Sequence, residues 1–245
     1  MINITRPSTA PAKDAGWTSL RSACVGGVRP QYRDIVNKNG VGYGKCSKTK
    51  KIEYLWHFTK LENVSSIFQS GIVPRATLEA NQSNVAYNDQ HRLDGFKTAS
   101  CLSIGHPNYK MFYSLRQQDP SVEWVVFGVK AEVLWTKDCA FCTTNAANSS
   151  VTSVPIEQRK GVQAFESLFL PVAGKPSRQE LQLPDGCPTD PQAEVLVFDT
   201  ILPSDIVGVI VPTKAKELEL KPLYPAHQVV YHRAHYSARL DYQHW

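Results

Sequence analysis

The stretch AEVLVF, residues 193–198, carries apolar side chains on both of its faces and one carboxylate among them. Side chains alternate along a strand, so Glu194, Leu196 and Phe198 share one face while Ala193, Val195 and Val197 point the other way. Apolar residues on both faces predict a strand covered on both sides, and hence a sheet with further layers packed over each surface. A carboxylate in that setting loses its hydration and needs donors or positive charge in return. Either Glu194 anchors a loop by accepting backbone N–H bonds, or its charge is wanted in a dry place.

The rest of the chain supplies the layers. IEYLWHFT (52–59) reads as an opening strand, and KLENVSSIFQSGIVPR (60–75) as a helix with apolar residues at 61, 64, 67 and 68, ended by Gly71. CLSI is a short strand, NYKMFYSLRQQ (108–118) an aromatic-rich helix, and VEWVVFGVKAEVLW (122–135) the clearest strand signal. QRKGVQAFESLF (158–169) suggests another helix; a polar, Pro-rich loop from 171 to 191 then delivers the chain to AEVLVF, and IVGVIVP (206–212) is a further strand. The tail YHRAHYSARLDYQHW is aromatic and basic and suits a terminal strand or helix. Strands and helices do not alternate regularly, so the expected class is α+β rather than a doubly wound sheet. At 245 residues, 42% hydrophobic and 20% charged, one large domain can bury a core of its own.

Charge divides the chain unevenly. Residues 1–51 hold ten Lys or Arg against two Asp, whereas the remainder holds seventeen basic and twenty acidic residues. The expected organisation is therefore a basic, partly disordered N-terminal extension over 1–51, with a short helix near QYRDIVNK, followed by a main domain over 52–245. Such an extension suits a polyanion such as nucleic acid, or is a solvated leader. Its NGVGYGKCSKTKK segment is not a phosphate loop, because Gly40 stands three residues from Gly44-Lys45 and Cys46 follows where Ser or Thr is needed. No apolar run approaches the roughly 20 residues that span a bilayer, and the first residues lack the apolar core of a secretion signal. A cytoplasmic protein with no membrane partner is expected. Cysteines at 24, 46, 101, 139, 142 and 187 then read as thiols. CAFC (139–142) has ligand-like spacing but no second pair, so no metal site is expected.

Three polar features remain. WHFT puts His57 and Thr59 on one face of the opening strand and Trp56 and Phe58 on the other, an arrangement that serves a hydrogen-bonded core as well as a site. AYNDQHRLDG (86–95) carries Arg92, by itself an ordinary surface charge. Glu194 is the third. Taken in order with LENVSSIFQSGI, HPNYKMFY and QAEVLVF, from about residue 53 to about 212, these segments resemble the DarT family. Its members are bacterial toxins that ADP-ribosylate bases in single-stranded DNA with NAD as donor. The resemblance implies the ADP-ribosyltransferase fold, a split central β-sheet around an NAD cleft with peripheral helices. It implies cofactor contacts at His57, Phe58, Thr59, Ser66 and Arg92, with Arg92 and Glu194 the catalytic pair. Tyr109, Met111 and Tyr113 fall near the nicotinamide end. TTNAANSS (143–150), with Asn145 and Asn148, corresponds to a segment that faces DNA in some relatives, and Tyr109 is a further candidate DNA contact. A partner antitoxin that removes the modification is implied as well.

The chemistry suits these residue types independently. Breaking the nicotinamide–ribose bond builds oxocarbenium character on the sugar, as in glycoside cleavage. A dry carboxylate stabilises that charge and can hold the ribose 2′-OH. Arg92 suits a diphosphate or a developing anion, and its pKa above about 12 argues against a free general base. Thymine is the family's familiar acceptor; guanine is the alternative, because 143–150 contains no charged or imidazole group. Two other readings stand beside this one: a non-catalytic nucleic-acid-binding module, and a transferase acting on protein or RNA.

Overall fold

Strands β1 (Tyr54–Lys60), β2 (Ser100–Ile104), β3 (Trp124–Lys130), β4 (Cys139–Cys142), β5 (Glu194–Val197), β6 (Ile206–Val211) and β7 (Val229–Tyr231) form one sheet in the order β4-β5-β2-β1-β3-β6-β7. The computed structural model describes Lys50, residues 52–81 and residues 94–245. The pairs are antiparallel except β6–β7, which is parallel. β1 and β3 pair along the whole of both strands, from Tyr54 opposite Lys130 to Lys60 opposite Trp124.

The join at the centre is much weaker. β1 meets β2 only through Leu55 opposite Ile104 and Trp56 opposite Ser103. β2 spends its first half on its other neighbour, with Ser100, Cys101 and Leu102 opposite Val197, Leu196 and Val195 of β5. Beyond Trp56 the backbones of β1 and β2 therefore part, and the sheet divides into a β4-β5-β2 half and a β1-β3-β6-β7 half. This is the expected split sheet, reached by a strand that changes partners midway.

Both faces are covered, as the apolar pattern of β5 requires. Ala193, Val195 and Val197 join the large core with Leu55, Leu102, Ile104, Phe127 and Val209. Leu196 lies in a smaller cluster with Ala99, Ala140, Cys142, Ala146 and Val151, against which Phe198 packs. Helix α1 (Val64–Ser70) buries Val64, Ile67 and Phe68 on the large core, with Phe68 edge-on to Phe127. It stops at Gly71, whose φ of +84° a side chain resists, and an added Cβ would lie 2.0 Å from the Ile201 carbonyl oxygen. That close approach is the isolated bridge between Ile72 and Ile201.

On the opposite face α3 (Tyr109–Gln118) lays Phe112 flat on Phe58 of β1, ring centres 4.7 Å apart, with Trp124 edge-on to both. Between these two helices in the chain comes α2 (Arg75–Ala80), which the sequence did not announce. Gly128 of β3 stands opposite Trp56, and a Cβ there would sit 3.3 Å from the indole, so the small residue admits the large one.

The remaining expectations meet mixed outcomes. The 122–135 run is a strand only to Lys130; Val133–Thr136 is a short helix, α4. CAFC is β4, an edge strand of four buried residues. α5 (Ser149–Thr152) and α6 (Gly161–Ser167) follow, the latter shorter than the 158–169 run. α7 (Lys214–Leu220) was not expected, and the tail supplies β7 and two short 3-10 turns. The helix near 32–38 and the AYNDQHR segment lie outside the described residues.

Candidate active site

Glu194 is the first residue of β5 and stands opposite Cys142 of β4. On the β2 side the ladder stops one pair short of it, at Leu102 opposite Val195. The next residue of β2, Ser103, pairs with Trp56 of β1 instead. Glu194 thus lies at the vertex where the sheet divides. By alternation its side chain leaves on the face shared by Leu196, Ser103 and Trp56.

The carboxylate is 5% exposed. Among the described residues, its Oε2 accepts the Ala146 backbone N–H at 2.8 Å and its Oε1 accepts from Asn108 Nδ2 at 3.3 Å. Asn108 is fully buried and precedes α3 as its N-cap, its Oδ1 accepting the Met111 N–H at 3.2 Å. The Asn108 N–H in turn donates to Ser103 Oγ at 3.0 Å. One residue, through its side chain and its backbone N–H, therefore links the acid, the start of α3 and the vertex of the sheet.

A buried cation lies nearby. Arg159, 6% exposed, directs Nη1 to Cys142 Sγ at 3.7 Å, places its guanidinium 5.1 Å from the centre of the Phe96 ring, and leaves Nε without a partner among the described residues. Burial raises the Cys142 thiol to about 11; the Arg159 charge opposes that rise and the Glu194 charge adds to it. Both charges are felt at the same sulfur. Each is a reason for the other to tolerate a dry site.

The expected cofactor residues occupy β1 and α1. His57 lies just past the last β1–β2 pair, and its Nδ1 donates to the Cys101 carbonyl at 2.9 Å, a side chain spanning the gap that the backbones leave open. Alternation directs His57 and the buried Thr59 away from the Glu194 face. Thr59 Oγ1 accepts from Asn63 Nδ2 at 2.9 Å, which ties β1 to the turn before α1. Ser66 is exposed and returns its hydroxyl to the Asn63 carbonyl at 3.0 Å. Phe58 commits its ring to Phe112 and Trp124. Arg92 lies outside the described residues.

Of the expected DNA contacts, Tyr109 begins α3 next to Asn108. Its Oη is buried without a partner among the described residues, and burial with the Asp241 charge holds the phenol above its usual range. Met111 is half-buried, and Tyr113 is exposed. Asn145 closes a turn onto the Ala147 N–H at 3.0 Å, and Asn148 caps α5 through the Ser150 N–H at 2.9 Å. The two asparagines shape the loop, and the Ala146 amide that they flank reaches Glu194. Asn108 and that amide were not foreseen. The Asn before an aromatic helix was a readable cap signal, whereas a backbone donor leaves no mark in the sequence.

The family model described as "ssDNA thymidine ADP-ribosyltransferase, DarT" matches residues 56–239. The chain belongs to the DarT family. The match runs from β1 through most of the tail and includes Asn108, Ala146 and Glu194. Among solved structures, Thermosipho africanus DarTG in complex with ADP-ribose is 18% identical with a TM-score of 0.54, over 75% of this chain and 51% of that one. The chain thus spans about half the length of that relative, and the likeness supports the DarT fold. Thermus sp. 2.9 DarT in complex with NAD+ aligns at 13% identity and a TM-score of 0.45, over 76% of this chain and 98% of that one. No curated protein matches. Among the described residues no helix is long and apolar enough to cross a membrane.

Proposed function

We propose that this chain transfers ADP-ribose from NAD+ to a base of single-stranded DNA, and that it acts as the toxin of a toxin–antitoxin pair. The observation that carries the reading is Glu194. In a DarT-family chain the acid sits dry at the vertex of the divided sheet, held by a backbone amide and a buried asparagine. In the reaction the bond from ribose C1′ to nicotinamide breaks and its electron pair leaves with neutral nicotinamide. A bond then forms from C1′ to a nucleophilic atom of the base, and the base gives up a proton. Positive charge grows on the sugar between these events. Glu194 faces that charge and accepts the ribose 2′-OH, in surroundings where water does not screen it.

In this reading NAD+ contacts His57, Thr59 and Ser66 and passes the gap beyond the last β1–β2 pair to reach Glu194. Arg92 binds the diphosphate or the anion forming on the base. Asn145, Asn148 and Tyr109 flank the route of the DNA, and residues 1–51 add phosphate contacts whose affinity falls with salt. Thymine is the acceptor that the family description names. Guanine is the second reading, favoured by the absence of charged or imidazole side chains from 143–150. The likeness to Thermosipho africanus DarTG supports a partner antitoxin, whose role in this reading is to remove the modification.

The test is mass spectrometry of mixed-sequence oligonucleotides after incubation with NAD+, with fragmentation to locate the base. Wild type adds one ADP-ribose and Glu194→Gln adds none while still binding NAD+. Salt-sensitive DNA binding without NAD+ consumption would point to a non-catalytic binding module, and labelling confined to protein or RNA would move the acceptor.

A further inference from the structure

We infer that Asn108 is a positioning residue for Glu194: its side-chain amide, locked by the first turn of α3, holds the carboxylate in the direction and charge state that ADP-ribose transfer uses. The inference deepens the proposed function and rests on it for the reaction, while the Asn108–Glu194 contact stands on geometry alone.

Every polar group of Asn108 is engaged. The N–H donates to Ser103 Oγ at 3.0 Å, the carbonyl accepts the Phe112 N–H at 2.9 Å, Oδ1 accepts the Met111 N–H at 3.2 Å, and Nδ2 donates to Glu194 Oε1 at 3.3 Å. Oδ1 must face a donor, so the amide cannot turn over, and Nδ2 is fixed toward the acid. Capping a helix requires only an acceptor, which Asp or Ser supplies equally well. Among the good caps only Asn carries an NH2 donor on a second atom beside the capping oxygen, whereas a hydroxyl has a single oxygen already engaged at the helix end, so the cap does not explain the residue type and the acid does.

The physical effect is directional. At 3.3 Å the bond is long for N–H···O, so it fixes the heading of Oε1 more than it drains its charge. The Ala146 amide holds Oε2, and two donors on different oxygens fix the plane of the carboxylate. Donation to the ionised form also favours that form, which a dry acid needs. Phe112, four residues along from the cap, stacks on Phe58 of β1, so the packing of α3 on the first strand sets where Nδ2 points.

Two substitutions separate capping from positioning. Asn108→Ser keeps a capping oxygen and removes the Nδ2 amide that reaches Glu194, leaving a shorter hydroxyl at the cap. Asn108→Asp keeps the cap and sets a second carboxylate against Glu194. In the oligonucleotide assay both lower kcat by about ten- to a hundredfold, the size of one hydrogen bond to a charged group, with a much smaller change in KM for NAD+. The acid limb of the pH–rate profile moves to higher pH, further for Asn108→Asp than for Asn108→Ser. A folded Asn108→Ser protein whose kcat and profile overlie wild type overturns the inference. A measurement on the unaltered chain does not depend on either variant folding. The side-chain amide signals of Asn108, followed by NMR against pH, shift as Glu194 titrates and lose that response in Glu194→Gln. Signals that ignore Glu194 overturn the inference whether or not the chain modifies DNA, whereas a wild type without transfer activity counts against the proposed function alone.

Discussion

Arg239 and Asp241 form a two-point ion pair inside the C-terminal tail, Nε to Oδ1 and Nη2 to Oδ2 both at 2.6 Å, with both residues buried. The same guanidinium reaches the Pro188 and Thr189 carbonyls at 2.8 and 2.7 Å. The tail thereby pins the loop that leads into Glu194. Asp241→Asn strands a buried cation, and denaturant unfolding should show a loss of about 3–5 kcal/mol. Replacing both partners with apolar residues of similar volume should cost less than the two single losses added together.

Acid should weaken the same region. Burial, with smaller contributions from His232 and His106, lowers His235 to about 3. Its ring packs 4.2 Å from Trp56, its Nδ1 lies 2.8 Å from that of His232, and His106 stacks beyond it. The folded pKa lies below the unfolded value near 6.5, so His235 contributes fully above that pH and its contribution is lost as pH falls toward the folded value. Burial lowers His106 too, against opposing carbonyls of Pro107 and Ala234. Thermal melts should fall between pH 7 and pH 5, with up to about 1.4 kcal/mol per pH unit for each proton taken up. His235→Phe should flatten that slope.

Alkali acts through the thiols of β4. Burial raises Cys142 to about 11 and Cys139 higher still. The unfolded thiol ionises first, so their contribution is complete below about pH 8.5 and is lost as pH rises through the folded value. Iodoacetamide at pH 8.5 should label Cys139 and Cys142 no faster than the sheet opens. Rapid labelling of native protein would contradict their burial.

Gly71→Ala places a Cβ on the Ile201 carbonyl at a backbone angle that alanine resists. The loss should exceed the ~1 kcal/mol centre of point substitutions, read from the denaturation midpoint. The bridge between Ile72 and Ile201 should break with it, visible as faster amide exchange at both residues.

Arg159→Met tests the charge beside the acid. Removing this buried guanidinium takes away its contacts with Cys142 and Phe96 and the positive charge that offsets Glu194, so both stability and transfer activity should fall. A variant that is both less stable and fully active would assign Arg159 to packing against Phe96 and Cys142 alone.

The sequence determined the elements whose signals are local. Alternation in 193–198 announced a strand covered on both faces with one acid in it, and the structure buries Ala193, Val195 and Val197 in one cluster and Leu196 in another. Spacing at 64, 67 and 68 with Gly71 behind them fixed α1, because side-chain periodicity and a left-handed stop are properties of a few consecutive residues. Motif order carried the family, since order survives where identity has fallen to 18%. Tertiary structure decided what lies between segments. That β2 changes partner at Ser103 could not be read from CLSI, because register depends on which strand arrives beside it. That Asn108 and the Ala146 amide converge on Glu194 across gaps of 86 and 48 residues follows from that register, and a backbone donor has no side chain to announce it. The acid was legible from its chemistry; its holders became legible only once folding had brought distant backbone and side-chain donors within hydrogen-bond reach.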